Sequence, residues 1–430
     1  MWRLLVQQQP IADPWDETKQ ILARIKEPSF PNRDFDAAKY KTLNDAISAC
    51  NAAGGGRVVV PAGPWATGPI RLKSRVNLHL SEGAILKFSR DPKDYLPVVF
   101  TRFEGTELMN YSPFVYAFEE QDIAVTGSGT LDGQADATHW WDWTRSAAAS
   151  RRKLAGMGES TPVAERIFGE GSFLRPNFIQ PYRCRNVFIE GVTIRNSPMW
   201  EIHPVLSTNV IVRGVTIDSH GPNNDGCDPE SCRDVLIEKC SFDTGDDCIA
   251  LKSGRNDDGR RVGAPIENVI VRDCTMKDGH GGMTIGSEIS GGARNIFAER
   301  CKMDSPNLNI ALRIKTNSVR GGVIERVFMR DVTIGQVSQA VVTVDFLYEE
   351  GNTGKYPPVV RDVEVRNVTS QKSRYALSLR GYANTPVTNV RLKDCKFDNV
   401  AEADVLENVK DLRLENVAVN GNVRNERTTK

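Results

Sequence analysis

The sequence predicts an all-β chain, a single-stranded right-handed parallel β-helix with an N-terminal helical cap. Three observations carry that reading. A short motif, a polar residue followed by alternating apolar positions, begins at Asn186, Asn209, Asp234, Asn268, Asn295, Arg326, Asp362, Asn389 and Asp411. Within each copy, as in NVIVRGVTI and DVLIEKCSF, apolar and polar residues alternate, which argues for strands with one buried face. The starts at 186, 209, 234, 268 and 295 lie 23 to 34 residues apart, a spacing that fits a solenoid whose coils carry loops of variable length. Each coil would bury its apolar side chains against the next. The right hand is the expectation for parallel strand connections.

Taken in order, the chain opens with a helix expected from Asp13, with Pro14 as its first residue and Ile21 and Ile25 on one face. Leu43, Ala46, Ile47 and Cys50 then recur at helical spacing, and Gly54, Gly55 and Gly56 stop the run before the strand Val58-Val59-Val60. This second helix would cover the open apolar end of the first coil. Compact cores rarely grow past about 250 to 300 residues, whereas a solenoid grows along one axis. All 430 residues are therefore read as one structural unit, with 1–56 as extension and capping helix and 57–430 as the β-helix domain.

Lys plus Arg and Asp plus Glu number 55 each, so the formal net charge is zero. That balance argues against a nucleic-acid or membrane-surface partner held by bulk charge. No stretch approaches the roughly 20 apolar residues needed to span a bilayer. The opening Met-Trp-Arg-Leu-Leu-Val-Gln-Gln-Gln has too short an apolar run for a secretory signal, so either the protein stays inside or its signal lies outside this sequence. Of the nine cysteines, Cys240, Cys274, Cys301 and Cys395 sit six residues after the start of their copies, where others carry Val192, Val215, Val332, Val368 and Val417. They read as small core hydrophobes rather than as a disulfide framework or metal cluster. Pairing of Cys227 with Cys232 is left open.

Position within the coils turns this pattern into chemistry. Asp246 lies twelve residues after Asp234 and His280 twelve after Asn268, so the two should stack on neighbouring coils, about 4.8 Å apart. Asp225 occupies the coil before, and Arg313 with Lys315 the coil after. Neighbours on a regular strand point to opposite faces, so Asp246 and Asp247 serve one cleft only where the backbone bends, as Gly245 permits. Crowded carboxylates resist ionising together, which keeps one protonated. Glycoside hydrolysis needs that combination of an acid for the leaving oxygen and a base for water. Alone, adjacent Asp residues after a Gly are most often a solvated turn; their company points to catalysis. Arg313 and Lys315 suit a carboxylate-bearing substrate. His203, Lys252 and Arg294 are further candidates for substrate binding, with a hydrogen-bonded structural histidine an equal reading of His203. Asp228 is read as structural.

The segments Asn223-Asn224-Asp225-Gly226, Gly245-Asp246-Asp247, Gly279-His280-Gly281 and Arg313-Ile314-Lys315, in that order, resemble the four signature motifs of the polygalacturonases, glycoside hydrolase family 28. The resemblance extends from about Gly54 to Val419. It implies a pectin-lyase-like solenoid performing inverting, single-displacement hydrolysis of α-1,4-linked galacturonic acid. The implied partner is an acidic pectic polysaccharide or oligogalacturonide, with no cofactor and no metal, in a secreted or periplasmic setting. It casts Asp246 as general acid, Asp225 and Asp247 as holding and deprotonating the attacking water, and His280 as tuning the acid. Arg313 and Lys315 would bind the uronate carboxylate, and Tyr348 would flank the leaving-group sugar.

Two departures stand out. Asn224 replaces the Thr of many members, and Asp34-Phe35-Asp36-Ala37-Ala38 runs almost directly into the capping helix where a Gly-rich strand and turn are usual. The stretch from Gln134 to Gln180 carries Trp140, Trp141, Trp143, Arg145, Arg151, Arg152 and Arg175, and is long for a connection between coils. It is expected to close the cleft into a pocket. Ser253 to Arg261, followed by Gly286-Ser287-Glu288, also looks similar to bacterial exo-acting members, which favours exo over endo attack. An endo-acting enzyme and a rhamnogalacturonan or xylogalacturonan hydrolase are the alternatives. A polysaccharide lyase, against which the acidic trio and His280 speak, and a non-catalytic carbohydrate-binding β-helix are the rivals from other classes.

Overall fold

A computed structural model describes residues 13–158 and 160–428. The opening segment read above for a secretory signal lies outside the described residues. From Asp34 to Val419 the chain winds as a parallel β-helix, each coil pairing in parallel with the next. Strands Arg185–Glu190, Thr208–Arg213, Arg233–Glu238, Ile266–Arg272, Ala293–Glu299, Val323–Arg330 and Val359–Arg366 stack in parallel as its first face. Their inward residues line up in one column, Val187, Val210, Val235, Val269, Ile296, Val327 and Val363, and all are buried. Short strands such as Ser241–Thr244 form a second run. Strands Ile249–Leu251, Gly279–Gly286, Leu308–Lys315, Ala340–Asp345, Tyr375–Arg380 and Val405–Glu407 form another face.

The polar residue that opens each repeat has a conformational cause. All nine, from Asn186 to Asp411, have φ between 52° and 58°, the left-handed region that Asn and Asp tolerate best. Their side chains also pair from coil to coil: the Asn209 amide donates to Asn186 Oδ1 at 2.8 Å, Asn268 to Asp234 at 3.0 Å and Asn295 to Asn268 at 3.0 Å. The ladder fixes register, because a slip of one residue would put an apolar side chain in the turn. Cys240, Cys274, Cys301 and Cys395 lie in the core, and every cysteine is a free thiol, Cys227 and Cys232 included.

Helix α1 spans Asp16–Arg24 rather than starting at Pro14, because Asp13 closes a preceding turn by accepting from the backbone N–H groups of Trp15 and Asp16. Instead of capping an end, it lies along the flank of the solenoid. There the outward residues Phe188, Ile211, Leu236, Ile270, Phe297 and Phe328 form a second apolar column, covered by Trp15, Ile21 and Ile25. These strands therefore bury both faces at their centres, where simple alternation gave one. Each of those covering side chains contributes about 1.5–3 kcal/mol by leaving water. Helix α2, Leu43–Ala52, buries Leu43, Ala46, Ile47 and Cys50 over the first coil, and Thr42 and Asp45 form its capping box. At the other end, Asn422–Thr428 pairs antiparallel with Val409–Val419. Among the described residues, no helix is long and apolar enough to cross a membrane.

Candidate active site

Between the strands Ser241–Thr244 and Ile249–Leu251 the backbone bends, and Asp246 and Asp247 sit in that bend. Gly245 is required by space rather than by a left-handed φ: a Cβ there would lie 2.3 Å from the carbonyl oxygen of Gly221 on the preceding coil. The Thr244 hydroxyl donates to the Asp246 carbonyl at 2.8 Å, and the Asp246 carboxylate accepts from the Asp247 N–H at 2.9 Å, which together hold the bend. Gly226 N–H donates to Asp247 O and Cys248 N–H to Gly281 O, so three successive coils are locked in step. Asp225, Asp246 and Asp247 consequently present carboxylate oxygens within 4.8 Å of one another. His280 stacks on Asp246 as its offset in the repeat requires, with backbone N–H to Asp246 O at 3.0 Å and Nδ1 to Asp246 Oδ1 at 2.9 Å.

The trio is electrostatically divided. Asp247 is fully buried and accepts from Lys315 Nζ at 2.7 Å, Thr284 Oγ1 at 3.0 Å and Arg313 Nη1 at 3.3 Å. Burial alone would raise its pKa, but Lys315, Arg313 and Lys252 outweigh burial and hold it well below the usual carboxylate range. Asp225 moves the other way: burial, then the negative charges of Asp228 and Asp246, push it well above that range against the pull of Lys252. His280 is raised first by its bond to Asp246. Arg313 and Lys315 flank Tyr348, with their charges 5.6 and 5.2 Å from its ring centre. Lys315 is nearly spent on Asp247, with its side chain 8% exposed, while Arg313 at 17% keeps more of its fork accessible.

Three candidate binding residues are buried or engaged with protein partners instead. His203 is wholly buried, with Nε2 2.8 Å from Glu230 and Nδ1 within 2.9 Å of the amides of Asn177 and Gln180; it is a structural histidine. Arg294 stands on the first face, bonded to Glu267. Lys252 lies beneath the carboxylates, 3.2 Å from Glu288 and 3.6 Å from Asp225, and is 2% exposed, so it is a buried counter-charge rather than a contact for substrate. In the long connection, Trp140 is a core residue packed on Tyr95 and Phe114, not a sugar platform. Arg175 is buried too, donating to the carbonyls of Pro198 and Pro222 and to Asn223, where it holds the loop that precedes Asp225. Arg145 and Arg152 are exposed.

Missed altogether was the hairpin Val99–Phe103 and Thr106–Asn110, which joins the helices Ala148–Met157 and Asn256–Val262 in a wall beside the groove. Its signal was present, for Glu104-Gly105 is an acidic-glycine pair between two apolar runs, and both residues have positive φ. Phe103, Leu108, Leu154, Phe168, Leu174 and Trp200 form the core of the wall. Arg166–Asp258 and Arg261–Glu107, each 2.6 Å, and Arg255–Glu104 at 3.1 Å tie it together. It surrounds a cavity of about 200 Å³ lined in part by Glu104, Arg151, Arg255 and Glu350. Trp200 carries the wall to the carboxylates, its ring centre 4.3 Å from Lys252 Nζ.

A stacked trio of aspartates with a histidine and two cations on a β-helix defines a carbohydrate-cleaving enzyme. Residues 169–419 match the model of Glycosyl hydrolases family 28, more than half of the chain, and the protein belongs to that family. It is a glycoside hydrolase. The chain is similar to a hyperthermoactive exopolygalacturonase from Thermotoga maritima, with 44% identity and a TM-score of 0.92 over 96% of this chain and 99% of that one. A probable polygalacturonase of Vitis vinifera is 28% identical over 86% of this chain and 73% of its own length. An endo-polygalacturonase of Pectobacterium carotovorum subsp. carotovorum is 26% identical over 87% of this chain and 89% of its own length.

Proposed function

We propose that the enzyme hydrolyses α-1,4-linked galacturonic acid in pectic polysaccharide or oligogalacturonides, releasing galacturonic acid from chain ends. The observation that supports this best is one acidic trio whose carboxylate oxygens lie within 4.8 Å of one another, with Asp247 held ionised by Lys315 and Arg313 and with His280, Arg313 and Tyr348 at its edge. Asp246 protonates the glycosidic oxygen as the C1–O bond breaks. Asp225 and Asp247 hold the water that attacks C1, and its proton passes to Asp225. His280, bonded to Asp246, tunes the acid, and Arg313 backed by Lys315 receives the uronate carboxylate. Lys315 and Arg313 already neutralise Asp247, so the chemistry needs no metal there.

Inverting enzymes commonly separate their two carboxyls by about 6.5–9.5 Å to fit a water between them. Here the nearest oxygens are within 4.8 Å, so the water must sit against Asp225 and Asp247 with the sugar lying across the mouth of the trio. A proton NMR time course on polygalacturonate tests this geometry. Initial β-galacturonate is expected, and initial α-product would contradict inversion. Exo attack is supported by the wall of the hairpin and helices on the Asp225 side, and by likeness to the Thermotoga maritima enzyme. Monomer alone at the earliest times is the expected product, whereas a ladder of oligomers would establish endo attack. An ultraviolet-absorbing unsaturated product lost with chelator would instead make the enzyme a lyase.

A further inference from the structure

The floor of the groove continues past the residues that the reaction uses. Strands Leu308–Lys315, Ala340–Asp345, Tyr375–Arg380 and Val405–Glu407 pair in register, so Lys315, Asp345, Arg380 and Glu407 form one row, and Arg313, Thr343 and Ser378 the row beside it. Residues in register on parallel strands point to the same side, so both rows face the groove that holds Asp247. A third row runs from Gly281, beside Asp247, through Ile310 and Ala340 to Tyr375. The strand Tyr375–Arg380 thus lays an aromatic ring, a hydroxyl and a guanidinium across the groove two coils beyond Arg313 and Lys315. Charge alternates along the outer row, with Lys315 and Arg380 positive and Asp345 and Glu407 negative. A ladder of ion pairs is the plain reading of such a row, and the distances do not support it. Lys315 turns back to Asp247. Asp345 has no ion pair among the described residues, and its Oδ1 accepts the Leu347 N–H at 2.8 Å. Arg380 approaches only Glu407, at 3.4 Å, and its buried Nε has no hydrogen-bond partner among the described residues. Buried donors are seldom left so, and with the side chain 42% exposed the guanidinium remains accessible.

We propose that the strand Tyr375–Arg380 forms a distal subsite, in which Arg380 receives the carboxylate of the galacturonate two residues beyond the one held by Arg313, over Ser378 and beside Tyr375. Coils rise by about 4.8 Å, close to the advance of one sugar in an extended α-1,4-linked uronate chain. In a two-fold chain neighbouring carboxylates turn to opposite sides, so every second one faces the same way. Cations two coils apart match that period, and Asp345 falls where the carboxylate faces away. A guanidinium suits a planar carboxylate, and the Ser378 hydroxyl suits the hydroxyls of the ring. The inference rests on the proposed function and adds a length preference to it. The wall stands on the Asp225 side, so the rest of the substrate runs over these later coils. With the chain end against the wall and the next sugar on Arg313, the fourth sugar is the one that reaches Arg380.

Initial rates on di-, tri- and tetragalacturonate test this with the intact wild type, Arg380→Ala and Arg380→Lys. In the wild type kcat/KM should rise about 5-fold from trimer to tetramer, the scale of one exposed charge pair. Arg380→Ala should lose that step, with its loss confined to the tetramer because the shorter chains do not reach residue 380. Arg380→Lys keeps the charge without the planar fork and should recover part of the step. No step in the wild type, a step that survives in Arg380→Ala, or an equal loss on all three lengths, which would make Arg380 structural, overturns the proposal. Should Arg380→Ala fail to fold, the wild type in added salt decides: the step should shrink, and a step indifferent to salt overturns the proposal. If the wild type cleaves none of the three, the proposed function fails instead, and calorimetric binding reads the subsite. Tetramer bound about 5-fold more tightly than trimer by the wild type is then expected, and equal affinities overturn the proposal.

Discussion

Asp246→Asn is expected to lower kcat on polygalacturonate by about 10³- to 10⁴-fold, at the upper end of what one general acid contributes, while an oligogalacturonide still binds. The amide fills the same space, and its oxygen can still accept from the Asp247 N–H, as Asp246 Oδ1 does at 2.9 Å. It cannot deliver a proton to a leaving oxygen. Steady-state kinetics with calorimetric binding of a trimer separates the outcomes. A large fall in kcat with unchanged affinity is the expected pattern. A variant that turns over normally would move the acid elsewhere, and one that no longer binds would make Asp246 a contact rather than an acid. The His280 contact gives a second handle. Loss of its ring removes the 2.9 Å bond to Asp246, so His280→Ala should shift the pH profile of kcat more than it changes binding.

The second large effect is on stability. Arg102→Ala is expected to cost about 3–5 kcal/mol, because it strips the partner from a fully buried Glu230. The two side chains are both 0% exposed and meet at 2.7 Å, and the other Glu230 oxygen is 2.8 Å from His203 Nε2. Burial would raise the pKa of Glu230, and Arg102 and His203 together bring it below its ordinary value instead. In the variant the carboxyl must take up a proton or remain a lone buried charge. Urea denaturation should show a lower midpoint with an unchanged slope. Replacing Arg102 and Glu230 together by apolar residues of similar volume should recover most of the loss. A single variant within about 0.5 kcal/mol of wild type would mean that water reaches this network.

What could be read from the chain, and what could not, divides along the repeat. Asn186, Asn209 and their successors were legible because every coil needs a left-handed residue at the same point, and the coil-to-coil amide ladder repeats that demand. Asp246 and His280 were legible because both stand twelve residues after such a start, and equal offsets in a solenoid mean equal angles. The same rule excludes Arg294, which sits one residue before Asn295 and therefore on the first face. The wall is not periodic. Arg102 meets Glu230 across 128 residues and Arg166 meets Asp258 across 92, each pairing occurring once. No spacing rule reaches such contacts, so the burial of His203 and Lys252, which depends on them, was invisible. Strand alternation likewise could not show the flank column from Phe188 to Phe328, because its cover, α1, lies far earlier in the chain.

The groove itself is tested most directly by a crystal structure of Asp246→Asn soaked with a galacturonate oligomer. The expected complex places a glycosidic oxygen within hydrogen-bond reach of residue 246, a water against Asp225 and Asp247, and a uronate carboxylate on Arg313. An oligomer bound away from these side chains, or one that leaves no room for water beside Asp225 and Asp247, would contradict the assignment of this trio as the centre of hydrolysis.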